Sequence, residues 1–180
     1  MNNPTTFAPA LGLLVLGAMA LPSPVNAAEA REFEAKLSGE QQVTAVESTG
    51  RGRAEARFNR AFRFVNVEVV INDLVGTVTA AHFHCARPGE NGPVVFGLIS
   101  PGPLALNGNR IQGTLTNADY TGSDCTTNIG RQVNNMASLA FAMRDGLIYV
   151  NVHTDTSPSG EVRGQMVESD DDATVSPAGN

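Results

Sequence analysis

All three histidines of the 180-residue chain lie in two short segments, His82-Phe83-His84-Cys85 and Val152-His153-Thr154, each where an alternating pattern runs into a loop. In a strand, residues i and i+2 share a face and successive residues do not. From Thr77 to Cys85, Ala81 and Phe83 take one face, while Val78, Ala80, His82 and His84 take the other. From Leu147 to Thr154, Ile148, Val150 and Val152 form an apolar face opposite Leu147, Tyr149, Asn151 and His153. The three histidines are therefore expected to point away from the core. His82 and His84 would have Cα atoms roughly 6.5 Å apart, which lets both rings converge on one ion at about 2.0 to 2.1 Å per nitrogen. His153 from a neighbouring strand would complete a half-open site of three nitrogens. Three imidazoles without a thiolate suit Cu(II) or Zn(II), and the Irving–Williams order puts copper first, with zinc as the alternative. For each histidine taken alone, a hydrogen bond to a loop carbonyl is the blander reading.

The elements that position these residues bring others with them. If the last two strands pair across Asp155 to Gly160, Glu161, Arg163 and Gln165 share a face with His153, and Val162, Gly164 and Met166 face the core. A carboxylate or amide there would orient the second nitrogen of a metal-bound imidazole. The alternative is a cross-strand ion pair between Glu161 and Arg163, worth under about 1 kcal/mol if exposed. Gly89, Gly92 and Pro93 shape the loop beside His84. Cys85 follows His84 directly, and Cys125 is the one other cysteine. In an oxidising compartment the two form a disulfide closing a loop of about 40 residues, worth roughly 3 to 4 kcal/mol in the chain-entropy treatment. Paired thiolate ligation of a metal is the other reading.

Strand signals recur along the chain with turn signals between them. They fall at Glu32 to Ser38, Arg53 to Asn59, Phe62 to Ile71, Pro93 to Ser100, Arg110 to Thr116 and Glu161 to Glu168. Pro93 to Ser100 is nearly continuous apolar, as a strand buried on both faces would be. Val133, Met136, Leu139, Ala140 and Met143 recur at helical spacing before Gly146, which predicts one short amphipathic helix over Gln132 to Arg144. Its methionines read as a core stripe, with soft copper ligation as the alternative. Frequent Gly and Pro, 18 and 10, and the absence of Trp suit short strands and turns. The expectation is one all-β domain over residues 28–168, a Greek-key or immunoglobulin-like β-sandwich or a flattened barrel with one short helix.

The net charge of −6 argues against nucleic-acid binding, and the arginines between Arg51 and Arg63 are interleaved with Glu55, as on solvated strand edges. Residues 1–27 carry an apolar run, Leu11 to Leu21, too short to span a bilayer, before the small residues Val25-Asn26-Ala27. This predicts a signal peptide cut at Ala27 or Ala28, leaving a secreted or periplasmic protein without a membrane segment. No Lys or Arg precedes the run, which leaves an uncleaved amino-terminal anchor as the alternative. Residues 169–180, with Asp170-Asp171-Asp172, are expected to form a disordered acidic tail.

The run His82-Phe83-His84 followed by Gly89 and Asn91-Gly92-Pro93, then Tyr149-Val150-Asn151-Val152-His153-Thr154 and Gly160-Glu161-Val162-Arg163-Gly164-Gln165, resembles the CHRD domain, first defined in chordin and found in bacterial exported proteins. The likeness covers about Arg31 to Glu168. It implies a Greek-key or immunoglobulin-like sandwich; in animal chordins such domains belong to an extracellular antagonist of bone morphogenetic proteins, a partner that fold analogy does not transfer. A weaker resemblance is to copper-zinc superoxide dismutases. It would give their copper-ligand, disulfide and arginine roles to His82 and His84, to Cys85 with Cys125, to His153 and to Arg163. Three histidines cannot also build their zinc subsite.

Three functions follow. The first is an exported β-sandwich binding copper or zinc for storage, delivery or tolerance. The second is a metal-free module of the cell exterior or periplasm that binds a protein partner, and the third a redox enzyme of superoxide type. No Ser-His-Asp order or paired-carboxylate spacing makes a compelling case for hydrolysis.

Overall fold

The computed structural model describes Met1 and residues 31–169. Apart from Met1 and Ser169, the expected leader and acidic tail lie outside the described residues. Ten strands form one antiparallel sheet. They are β1 (Glu32–Ser38), β2 (Arg51–Phe58), β3 (Phe64–Asn72), β4 (Val78–Cys85), β5 (Val94–Ile99), β6 (Ala105–Asn107), β7 (Arg110–Thr116), β8 (Ile148–Thr154), β9 (Val162–Gln165) and β10 (Val167–Glu168). Their order across the sheet is β5-β4-β8-β9-β1-β2-β3-β7-β6, with β10 also on β1.

Alternation explains why this sheet curls around a core. Phe33, Ala35 and Leu37 of β1, Ala54, Ala56 and Phe58 of β2, and Val65, Val67, Val69 and Ile71 of β3 are all buried. Between them stand charged residues, and a ladder of exposed ion pairs joins Arg53 to Glu34 and Glu55, and Arg57 to Glu32 and Glu55. Arg53 and Arg57 therefore occupy the outer face of an interior strand and not a strand edge, while Arg60 and Arg63 lie in the β2–β3 connection. The two ends of the sheet approach one another: Ile99 bridges Pro103, Phe96 bridges Tyr120, and the Leu104 amide donates to the Leu98 carbonyl. The result is a nearly closed, flattened barrel, the second of the two forms expected.

Two helices cover part of the core, α1 (Thr126–Ile129) and α2 (Met136–Arg144). The helix expected from Gln132 starts at Met136, because Asn135 and Ser138 form a reciprocal capping box. Met136, Leu139, Ala140 and Met143 are buried in the core, which accounts for the methionine stripe as packing. The strands also differ from expectation. Phe62, at φ 48°, turns the chain before β3 begins at Phe64. The closing strand is broken at Met166 into β9, which pairs with β8 and with the end of β1, and β10, which pairs with the start of β1. The short strand β6 was not foreseen. Cys85 and Cys125 are joined by a disulfide with Cα atoms 6.0 Å apart, which ties the end of β4 to the start of α1. Among the described residues no helix is long and apolar enough to cross a membrane.

Candidate metal centre

β8 lies between β4 and β9, and its register sets the site. Ala80 pairs with His153, His82 with Asn151 and His84 with Tyr149. On the other side Asn151 pairs with Arg163 and Tyr149 with Gln165. His82 and His153 are thus diagonal neighbours, close enough for ring contact. Their centroids are 5.0 Å apart, with His84 at 5.7 Å from His82 and 6.2 Å from His153. Each ring offers one nitrogen to a group whose members all lie within 4.8 Å of one another. Nitrogens around one ion at the usual bond length stand roughly 3.3 to 4.2 Å apart. Side-chain adjustments of the order of an ångström would close the set, so the group can hold a metal ion.

Alternation placed the histidines on the expected face, but that face is not open to water. His82 and His84 are 9% and 8% exposed, and His153 is half-buried. The β4–β5 loop meets His84 and the Asp155–Gly160 turn meets His153, while the segment between β1 and β2 meets the neighbouring Asn151. Gln42 Nε2 donates to Asn151 Oδ1 at 2.7 Å from one side, and Asn151 Nδ2 donates to the Ser159 carbonyl at 3.1 Å.

Burial and backbone acceptors together dictate the proton positions. His84 Nδ1 lies 2.9 Å from the Gly92 carbonyl oxygen, and His153 Nδ1 lies 2.9 Å from that of Pro158. A carbonyl oxygen carries no hydrogen, so both Nδ1 atoms are donors and both Nε2 atoms of the neutral rings carry bare lone pairs. His82 Nδ1 stands 3.2 Å from His153 Nε2, a contact that suits donation from His82, while the Ser100 backbone beside the same ring favours its charged form and partly offsets burial. The Nε2 atoms of His82 and His84 are buried without any hydrogen-bond partner. Burial lowers the pKa of all three rings; for His82 the nearby His153 adds to this, and His84 falls to about 4. The rings are therefore neutral at pH 7, the form that ligates metals.

The carbonyl of Gly92 reaches His84 because the loop passes very close to β4. A Cβ at position 92 would collide with the Cys85 carbonyl, so a side chain there would push the loop away. The Tyr149 hydroxyl accepts from the Gly92 amide at 3.2 Å. Its ring stacks on His84 with centroids 4.7 Å apart and planes 11° from parallel. On the β9 side the Arg163 guanidinium carbon sits 3.7 Å from the centre of the same ring. His84, Tyr149 and Arg163 thus form three stacked layers. Tyr149 was read from the sequence only as a member of this face; nothing in residue type marked it as the support for His84.

The three residues expected to orient the histidines do other things. Glu161 neither touches a histidine nor pairs with Arg163. It turns under the β3–β4 connection, accepting from Ser48 Oγ at 2.6 Å, the Val75 amide at 2.7 Å, Thr154 Oγ1 at 2.8 Å and the Gly76 amide at 3.2 Å. Burial alone would raise its pKa, but these four donors outweigh it and hold the carboxyl below its ordinary value. Gln165 donates to the carbonyls of Gly146 and Ala86 at 2.7 and 3.0 Å. Arg163 touches no histidine; it supports His84 through the Tyr149 ring, and its charge adds to the lowering of the His84 pKa.

The CHRD domain family matches residues 33–166, well over half of the chain. The chain belongs to the CHRD domain family. No curated protein and no solved structure matches it, so the likeness to copper-zinc superoxide dismutases rests on the order of a few residues alone. Within this CHRD domain the histidines, Tyr149 and Arg163 all fall inside the matched span. Sequence patterns located the imidazoles, whereas the backbone carbonyls that orient them carry no signature in residue type.

Proposed function

We propose that this protein is an exported CHRD-domain protein that binds one copper ion, or alternatively zinc, through His82, His84 and His153, for storage, delivery or tolerance of the metal. The observation that carries the reading is the pair of buried Nε2 atoms on His82 and His84, unpartnered among the described residues, beside His153. A buried acceptor without a partner costs about 1 to 3 kcal/mol, and a cation shared by the three rings would remove that cost. His84 and His153 would bind through Nε2, each held by its Nδ1–H donation to a backbone carbonyl, the arrangement that fixes a ligating imidazole. Three protein ligands leave a position open for exchange of the ion. Nitrogen ligands without thiolate favour Cu(II). Export accords with the disulfide and with the leader-like residues 1–27.

The test is Cu(II) titration of the purified, disulfide-intact protein after export by its host. One equivalent is expected for the natural sequence and none for His82→Ala or His153→Ala, with a mature mass corresponding to a start at Ala27 or Ala28. Undiminished stoichiometry in both variants would refute the site and leave the domain as a binding module for a macromolecular partner. A full-length mass would refute cleavage of the leader.

A further inference from the structure

We infer that Arg163 forms the floor of a second binding site, one that takes a small monocarboxylate bearing a hydrogen-bond donor next to its carboxyl group. Arg163 is 2% exposed, yet among the described residues no carboxylate comes within salt-bridge distance of it. Its polar contacts are the Asn91 side chain at 3.4 Å, the Arg87 carbonyl at 3.5 Å and Gln165 Oε1 at 3.5 Å, all at the long end of hydrogen bonding. A guanidinium has five donors in one plane, and a buried charge is costly unless those donors are well used. The Tyr149 ring covers one face of that plane but leaves its edges to these weak contacts.

Beside it opens a cleft of about 290 Å³ lined by Arg163, Gln165, Gln42, Val43, Pro88 and Glu40. The planar fork of Arg163 matches a carboxylate through two parallel hydrogen bonds. Gln42 donates its amide to Asn151 and accepts nothing from the described residues, so its oxygen is left for a donor on the ligand. Val43 and Pro88 give the cleft apolar walls. Glu40, with a side chain 82% exposed, stands at the mouth and is paired with Arg51 at 3.5 Å, so the two charges largely cancel there. With that pair cancelled, Arg163 leaves a single uncompensated positive charge at the floor, which matches a monoanion better than a sulfate or phosphate dianion. The cleft lies on the far side of Tyr149 from His84, and this assignment does not depend on metal binding.

The measurement uses metal-free protein, dialysed free of chelator and titrated with N-acetylglycine, following the side-chain amide signals of Gln42 and Gln165 by ¹H–¹⁵N correlation. Saturable shifts are expected. Glu40→Gln should tighten binding about two- to fivefold by removing the negative partner of Arg51 at the mouth. Val43→Trp alters a half-exposed position away from Arg163 and should abolish binding by filling the mouth. Arg163→Lys, its fold checked by circular dichroism, should weaken binding by at least about tenfold. No saturable shift, unchanged binding in Val43→Trp, or tighter binding of sulfate than of N-acetylglycine would overturn the assignment.

Discussion

Three neutral imidazoles pack together with the Nε2 atoms of His82 and His84 sealed from solvent and without a hydrogen-bond partner among the described residues. What holds them there is packing, and Tyr149 is its centre. Tyr149→Phe keeps the stack on His84 and loses only the hydroxyl, which accepts from the Gly92 amide at 3.2 Å and donates weakly to the Gly92 carbonyl at 3.5 Å, so a loss of about 1 kcal/mol in urea unfolding is expected. Tyr149→Ala removes the ring between His84 and Arg163 and should cost about 3 to 5 kcal/mol. Equal losses in the two variants would show that the stack contributes nothing. The three histidines were legible in the sequence because their residue type is rare here and alternation put them on one face. Their orienting groups were not, because every residue carries a carbonyl and only the path of the loop selects those of Gly92 and Pro158. Glu161 was misassigned for a related reason. Alternation names a face but not the neighbours, and Ser48 and the amides of Val75 and Gly76 come from parts of the chain far away in sequence.

At the scale of elements, the end of β4 carries both His84 and the disulfide to Cys125. Reduction frees a 40-residue separation, and the chain-entropy treatment gives a loss of about 3 to 4 kcal/mol. Because Cys85 adjoins His84 and lies beneath the loop that supplies the Gly92 carbonyl, the double variant Cys85→Ala/Cys125→Ala should show both a lowered unfolding midpoint and weaker copper uptake. Retention of full stability would contradict the tethering role. Interior strands were readable from their period of two, as in β3, where Val65, Val67, Val69 and Ile71 are buried in alternation. The edge strand β6 was not, since all three of its residues are exposed and no pattern distinguishes them from a turn. The start of α2 was set by the Asn135 cap, a local hydrogen-bond exchange that overrides the apolar periodicity beginning at Val133.

For the whole molecule, the sequence left sandwich and barrel open because closure depends on pairings distant in the chain, such as Phe96 with Tyr120. Closure encloses the core on the inner face, while loops seal the histidines on the outer one, and this has a consequence for acid stability. His84 has a folded pKa of about 4 against 6.5 in the unfolded chain. Between those values the unfolded state binds a proton that the native state refuses, so stability falls as pH falls. The metal-free protein should lose about 3 kcal/mol from His84 alone between pH 6.5 and 4. Glu161, held below its ordinary 4.5, adds a further loss at lower pH as its native carboxylate is protonated. Urea unfolding across this range checks the slope, and a flat profile in the natural protein would contradict the burial of His84. The central claim concerns the three nitrogens, and X-ray absorption of the intact protein loaded with one equivalent of Cu(II) tests it most directly. The account predicts three histidine nitrogens at about 2.0 Å. A first shell of oxygen, or of a single imidazole, would contradict it.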